Sequence, residues 1–390
     1  MSKKINTMYL FFAQSRMNRK IFILDLESKV EVIALKNKND YSIKLNNSIN
    51  EFLKNALRVI GQNPVMTKIV LQTIGFQMNA AETRMNYKKQ GLQVPPYMII
   101  SITNRFNLNC RGCYSKAQHR PAEKELGSDR LRSMIEEAKD LGISFIFLAG
   151  GEPLMRPDIL EITKDFPEVI FSLFTNGLLI TDEIIAQLRK QKNVIPVISI
   201  EGNESETDYR RGAGIYGRLH GTLEKMKNLG IFYGLSFTVT KTNIDTLTDE
   251  TFIKDLMKSG CRLFFYVEYI PVKKATEDIV ITDEQRAMLA TVLNSFRNKF
   301  SSLFVSFPGD EENFGGCLSA GRGFIHVSAE GNLEPCPFAP YSDVNLKNLP
   351  LKEALQSELM QKIRQSHADL AETKGGCALW EKREWLKSLI

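Results

Sequence analysis

Tyr97-Met98-Ile99-Ile100-Ser101-Ile102-Thr103 runs directly into Asn104-Arg105-Phe106-Asn107-Leu108-Asn109-Cys110-Arg111-Gly112-Cys113-Tyr114-Ser115. The first stretch predicts a β-strand, and the second, rich in asparagine, predicts a loop at its C-terminal end. That loop holds a Cys-x-x-Cys. Two thiolates at this spacing grip one metal ion, hold two corners of a cluster, or form a redox pair. Gly112 lets the backbone curl between them. Just upstream, Pro95-Pro96 breaks the chain and marks a domain boundary.

Downstream, short apolar runs alternate with helical patterns. Further strands are predicted at Ser144–Ala149, Val169–Phe174, Val194–Ile200, Tyr233–Val239 and Arg262–Ile270, with helices near 129–141, 156–164, 181–190, 216–229 and 247–258. Strands that alternate with helices in this way predict parallel βαβ units. Continuous apolar runs such as Phe145–Ala149 fit strands buried on both faces. Six units without a clear seventh and eighth predict an α/β fold, an open partial (βα)6 TIM-like barrel. Its active site is then expected in the loops after the strand C-termini.

Upstream of Pro95, Lys20–Leu26, Val30–Leu35 and Tyr41–Leu45 read as small antiparallel strands. Two helices follow. Leu53, Ala56, Leu57 and Ile60 carry one apolar stripe. Asn63 is the expected N-cap of the second, Pro64 its first residue, and Gly91 lies just past its end. Beyond the barrel, a charged helix is expected at 282–299. After Pro308-Gly309-Asp310 come a Gly-, Pro- and Cys-containing stretch, a helix at 351–366 and a short terminal helix. The domain reading is therefore a small α+β region over 1–95, the barrel over 96–275 and a Cys-containing extension over 276–390.

The 390 residues are 43% hydrophobic and 25% charged, ordinary for a globular protein with a sizeable core. The net charge of +6 is spread along the chain, which argues against a nucleic-acid or membrane partner. No apolar run reaches the ~18 residues needed to span a bilayer. A cytoplasmic protein is expected. Six cysteines in 390 residues are too sparse for a disulfide framework and point to metal or catalysis in a reducing compartment.

The second strand ends in Ala149-Gly150-Gly151-Glu152-Pro153. Two glycines allow a ligand close to the backbone, and Glu152 offers a carboxylate to a cation such as an amine. Later strand ends are also polar: Thr175-Asn176-Gly177, Ser199-Ile200-Glu201-Gly202 and Thr238-Val239-Thr240-Lys241-Thr242-Asn243. Ser199 and Glu201 are two apart, so both can face the barrel interior. Asp208, Arg210, Arg211 and Gly212 are expected in a loop able to cap the site. The C-terminal stretch carries Cys317, Gly331 and Cys336 as Cys-x13-Gly-x4-Cys, and Cys377 follows Gly375-Gly376. Three cysteines there can hold one cluster with one open or non-cysteine position. His326 and His367 are candidate extra ligands, and structural zinc is the rival metal. Cys261 begins an apolar strand and reads as core.

From about residue 97 onward the sequence resembles the radical S-adenosylmethionine (radical SAM) superfamily. The resemblance rests on the loop around Cys110 and Cys113, on Gly150-Gly151-Glu152-Pro153, and on the later strand ends. That family carries Cys-x3-Cys-x2-Cys after its first strand, where three thiolates hold a [4Fe–4S] cluster and leave one iron for SAM. Cys110 and Cys113 match its second and third cysteines, whereas the first position holds Phe106, which cannot ligate iron.

The resemblance implies contacts to SAM from Gly150, Gly151, Glu152, Pro153, Asn176, Ser199, Glu201, Arg211 and Thr240. It implies reductive cleavage of SAM to a 5′-deoxyadenosyl radical and an electron donor such as flavodoxin or ferredoxin. Cys317, Cys336 and Cys377 resemble the opening of SPASM or twitch domains, which hold an auxiliary Fe–S cluster, and such members often modify peptides or proteins. Two alternatives stand beside this reading. One is a degenerate pseudoenzyme that serves as a binding module because of Phe106. The other is a zinc-binding scaffold.

Overall fold

The computed structural model describes residues 41–60, 64–118, 124–272, 276–370 and 377–390. The chain divides into two units after Phe52, and everything from the helix Pro64–Lys89 onward lies in the second, Leu53–Ile390. Among the described residues no helix is long and apolar enough to cross a membrane.

The second unit is built on one curled, half-barrel sheet. Its strands are β1 (Tyr97–Thr103), β2 (Phe145–Gly150), β3 (Ile170–Thr175), β4 (Val194–Ser199), β5 (Gly234–Val239), β6 (Leu263–Glu268), β7 (Leu303–Phe307), β8 (Phe324–Val327) and β9 (Leu333–Glu334). Their order in space is β7-β6-β5-β4-β3-β2-β1-β8-β9. The first seven run parallel, each beside its sequence neighbour, with helices as crossovers. β8 then returns to the free edge of β1, also parallel, pairing Tyr97 with Phe324 and Ile100 with Val327. β9 closes that side antiparallel to β8. The open half-barrel agrees with the expected fold.

The helices form where sequence and burial coincide. In the helix Ser128–Leu141, Leu131, Met134, Ile135, Ala138 and Leu141 form one buried stripe, and Gly142 (φ 89°) ends it in a left-handed cap. The helix Glu204–Arg211 opens with a capping box from Asn203 and Glu206, and Asp283–Lys299 opens with one from Thr282 and Gln285. The core on the sheet's outer side is deepest around Phe237, Phe264 and Tyr266, which are fully buried. Each such side chain contributes roughly 1.5–3 kcal/mol.

Several expectations are corrected. Lys20–Leu26 and Val30–Leu35 lie outside the described residues. Tyr41–Leu45 is helical, the start of Tyr41–Ile60. Five residues of alternating polarity imitate a strand there, but buried Leu45, Ile49, Leu53 and Ala56 extend a helical period. Residues 208–211 end the helix Glu204–Arg211 rather than forming a loop. A seventh parallel strand exists, and 351–366 is two helices, Leu351–Ala354 and Glu358–Gln365. Cys261 is fully buried in the core, as expected.

Candidate functional site

A cavity of about 290 Å³ opens at the C-terminal ends of the strands. Five cysteines reach its wall: Cys110 and Cys113 from the loop after β1, and Cys317, Cys336 and Cys377 from the C-terminal region.

The loop after β1 is fastened at several points. Gly151 N–H donates to Thr103 O (2.7 Å), and Glu152 N–H donates to Arg105 O (2.8 Å). The Gly-Gly-Glu-Pro segment thus grips the cysteine loop through its main chain. Gly151 is required there, because a Cβ on it would stand 1.9 Å from Arg105 O. Asn176 Nδ2 donates to Asn107 Oδ1 (2.7 Å), tying β3's end to the same loop. Arg111 N–H donates to Arg210 O (2.8 Å), so the helix Glu204–Arg211 holds its far side. Phe106 is half-buried and its ring forms part of the cavity wall.

Glu152 is nearly buried at this rim. Its Oε1 accepts from Thr175 Oγ1 (2.6 Å) and Leu154 N (3.1 Å), and its Oε2 accepts from Asn176 N (2.8 Å). Burial raises its pKa above the usual carboxylate range, against these donors. The bonds fix the carboxylate on the cavity wall, where it can meet a cation.

Glu201 sits one layer behind. Its Oε1 lies 2.6 Å from Arg211 Nη2 and 3.1 Å from Arg210 Nε, and its Oε2 accepts from Thr238 N (3.0 Å). Arg211 Nη1 in turn donates to Cys110 Sγ (3.9 Å). Burial lowers the pKa of Arg211, but Glu201 and then Cys110 hold it above its ordinary value. Burial pushes the Cys110 thiol up, and Arg211 opposes that shift. A guanidinium therefore faces the loop thiol.

Of the residues singled out in the sequence, Gly150, Gly151, Glu152, Asn176, Ser199, Arg211 and all five cysteines line the cavity. Pro153 is buried and starts a single 3₁₀ turn. Glu201 and Thr240 are buried outside the wall. Thr240 bonds to Asn243 and Thr242, and Asn243 Nδ2 braces the carbonyls of Glu201 and Thr238. Sequence reading missed Glu268, held by Arg286 at 2.5–3.0 Å. It also missed the aromatic wall of Phe147, Phe174 and Phe307, packed around Phe265 with ring centroids 5.1–6.5 Å apart. These phenylalanines recur at inward-facing strand positions, a signal visible only once the barrel face is assigned.

In the C-terminal region, Cys336 lies on the turn after β9 and shares a hydrogen bond with Cys377. That bond and burial hold Cys336 well above its ordinary pKa, while burial, Glu311 and Cys377 do so for Cys317. Cys317 Sγ lies 3.2 Å from Ser319 Oγ. Among the described residues, no three His, Cys, Asp or Glu side chains are close enough to hold a single metal ion. A zinc site needs donor atoms about 3.8 Å apart, the edge of a tetrahedron with 2.3 Å bonds, whereas a cubane cluster spreads its thiolates wider.

Neither histidine joins this set. His326 uses both ring nitrogens, one with Ser101 Oγ and one with Glu334 Oε2, each at 2.8 Å. His367 stands near Arg322, outside the cavity wall. Tyr114, following Cys113, stacks edge-on against Phe338 (4.7 Å), two residues past Cys336, so an aromatic pair bridges the two cysteine sets.

Two features here bear on SAM and iron. The bare glycine backbone, fixed Glu152 carboxylate and Arg211 suit an amino-acid ligand such as SAM. To an iron–sulfur cluster the loop would offer two thiols, Cys110 and Cys113, and an unreactive ring at Phe106.

Residues 100–259 match the Radical SAM superfamily. The chain is 27% identical over 318 residues to the AdoMet-dependent heme synthase of Methanosarcina barkeri, covering 74% of this chain and 89% of that protein. It is 26% identical over 308 residues to the mycofactocin maturase MftC of Mycolicibacterium smegmatis, covering 74% and 76%. In structure it is similar to Streptococcus suis SuiB bound to the precursor peptide SuiA, with a TM-score of 0.61, 18% identity and coverage of 81% and 77%. SuiB bound to S-adenosylmethionine gives a TM-score of 0.59, with 18% identity and coverage of 78% and 73%. The superfamily match runs from within β1 to the end of the helix Glu250–Lys258, the stretch that forms most of the half-barrel.

Proposed function

We propose that this chain binds SAM in the cavity above the strands and cleaves it reductively on an iron–sulfur cluster, acting on a peptide or protein. The observation that carries this reading is the pair of main-chain bonds from Gly151 to Thr103, the last residue of β1, and from Glu152 to Arg105 in the cysteine loop. They hold a cation-binding carboxylate and two thiols at fixed positions on one wall. A [4Fe–4S] cluster would be held through Cys110 and Cys113 and, once reduced by an external donor, would supply the one electron that breaks the C5′–S bond of SAM, leaving methionine and a 5′-deoxyadenosyl radical.

The chain's own residues do the remaining work. Glu152 receives the SAM amine. Arg211 counters the charge on Cys110 and offers a guanidinium to a carboxylate. Phe147, Phe174 and Phe307 keep water from the reacting centre. Residues 96–275 are the catalytic barrel and 276–390 the region that holds an auxiliary cluster on Cys317, Cys336 and Cys377. The sheet itself continues across that limit through β7, β8 and β9. The likeness to SuiB with its precursor peptide supports a peptide or protein substrate.

Phe106 supports a second reading, in which the cavity binds SAM without cleaving it. Anaerobic reconstitution with iron and sulfide, followed by SAM and dithionite, separates the two. About eight irons per chain, two cubanes' worth, with release of 5′-deoxyadenosine supports the enzyme. About four irons with SAM bound but intact supports the binding module. Zinc and no iron would sink both in favour of a scaffold.

A further inference from the structure

We propose that Glu311 is the fourth protein ligand of the C-terminal centre, completing Cys317, Cys336 and Cys377. The inference rests on the reading of those cysteines as an iron–sulfur site.

Glu311 lies in the 3₁₀ turn Gly309–Phe314, between β7 and Cys317. Its main chain is fixed at both groups: N–H donates to Pro308 O (2.8 Å), and O accepts from Gly316 N–H (3.2 Å). This presents the carboxylate to the cavity wall that holds all three thiols. The residue is only 9% exposed. A glutamate is seldom buried without a cation or metal partner. Here its carboxylate bonds the Cys317 thiol and the Leu318 N–H, so the groups it touches belong to the cysteine segment itself.

The surrounding charge suits this role. Arg322, 7% exposed, donates to Cys317 O (2.5 Å), Phe314 O (3.3 Å) and Gly316 O (3.5 Å). One guanidinium thus clasps three carbonyls of the loop joining Glu311 to Cys317. It places a fixed positive charge beside a group of three thiolates and a carboxylate, which is net negative around a cubane core. Three thiolates leave one corner of a cubane without a protein donor, and iron accepts carboxylate oxygen. Among the described residues, Glu311 is the acidic side chain that bonds one of these thiols and shares the cavity wall with all three.

The test uses the full chain carrying Cys110→Ala and Cys113→Ala, so that only the C-terminal centre is loaded. Glu311→Ala and Glu311→Cys are compared in that background after reconstitution with iron and sulfide. The expected result is about four irons per chain in the parent. Glu311→Ala should release iron to a chelator at least about 10-fold faster and shift the Mössbauer doublet of one iron. Glu311→Cys should keep iron at the parent's rate with a thiolate-type spectrum. An unchanged spectrum and release rate in Glu311→Ala overturns the ligand assignment while leaving the centre standing. Equal loss of iron from both variants also overturns it, because packing rather than ligation would then be at stake. A parent that takes up no iron overturns the auxiliary centre, and this ligand with it.

Discussion

Arg211 reaches from the end of its helix to donate through Nη1 to Cys110 Sγ across 3.9 Å. Its other end is anchored on Glu201, which also pairs with Arg210. Glu201 is 1% exposed, so this carboxylate is what makes two neighbouring guanidiniums tolerable in a buried site. Glu201→Gln is predicted to cost about 3 kcal/mol of unfolding free energy, the scale for breaking a buried pair. Adding Arg211→Gln should cost less than the sum of the two single changes. A urea-denaturation cycle checks this, and strict additivity would show that the pair is not coupled.

Phe106→Cys restores the missing thiol in a loop that is otherwise fully fastened. The variant is predicted to raise iron content after reconstitution and to increase 5′-deoxyadenosine formation. The motivation is that Cys110, Cys113 and Glu152 already share one wall. Iron analysis and chromatography of the product check it. If neither quantity rises, the site departs from activity beyond this one position.

Two glycines should respond in opposite directions. Gly151→Ala places a methyl against Arg105 O at 1.9 Å, so the cysteine loop must move. A loss of about 1–3 kcal/mol is expected, with weaker SAM binding. Gly217 lies inside the helix Ile215–Asn228, and a Cβ there meets nothing within 4 Å. Gly217→Ala should stabilise by about 0.5–1 kcal/mol and leave SAM binding unchanged. Thermal melts and calorimetry with SAM read both, and a tolerated Gly151→Ala would mean that the contact is soft.

Glu268 gives a pH prediction. Burial holds its carboxyl above the ordinary value of 4.5, and Arg286 opposes the shift. Arg286→Gln removes that opposition, so the folded-state pKa moves further up. The folded protein then keeps a proton that the unfolded chain releases near pH 4.5. Stability of the variant, relative to the parent, should therefore fall as pH rises from about 4.5 toward neutrality. Urea midpoints at pH 5 and 7.5 test the sign, and an equal gap at both would refute it.

The barrel was legible because its parallel strands are long apolar runs, flanked by amphipathic helices of ordinary length. The rim was legible because glycines and cysteines at strand ends have few other uses. β7 was not, because Leu303–Phe307 follows a helix and precedes Pro308, with no further βα unit to mark it. Tyr41–Leu45 was misread because five residues are too few to separate a period of two from 3.6. Glu311 was invisible for a different reason. One glutamate among 45 acidic residues says nothing until a 3₁₀ turn points it at a thiol. The Arg211–Glu201–Arg210 cluster was missed in the same way. Arg211 was assigned to a ligand, and its partner within the protein could not be seen from spacing.

β8 returns to the outer edge of β1, and this fixes an order of events during synthesis. Tyr97 to Ile100 emerge from the ribosome early, yet their second set of backbone partners, Phe324 to Val327, emerges more than two hundred residues later. Through that interval the edge of the first strand is an open template for any other extended chain. A chaperone that shields this edge, or slow translation before β8, would therefore govern yield, and a chain truncated ahead of Phe324 should aggregate rather than accumulate as a free barrel.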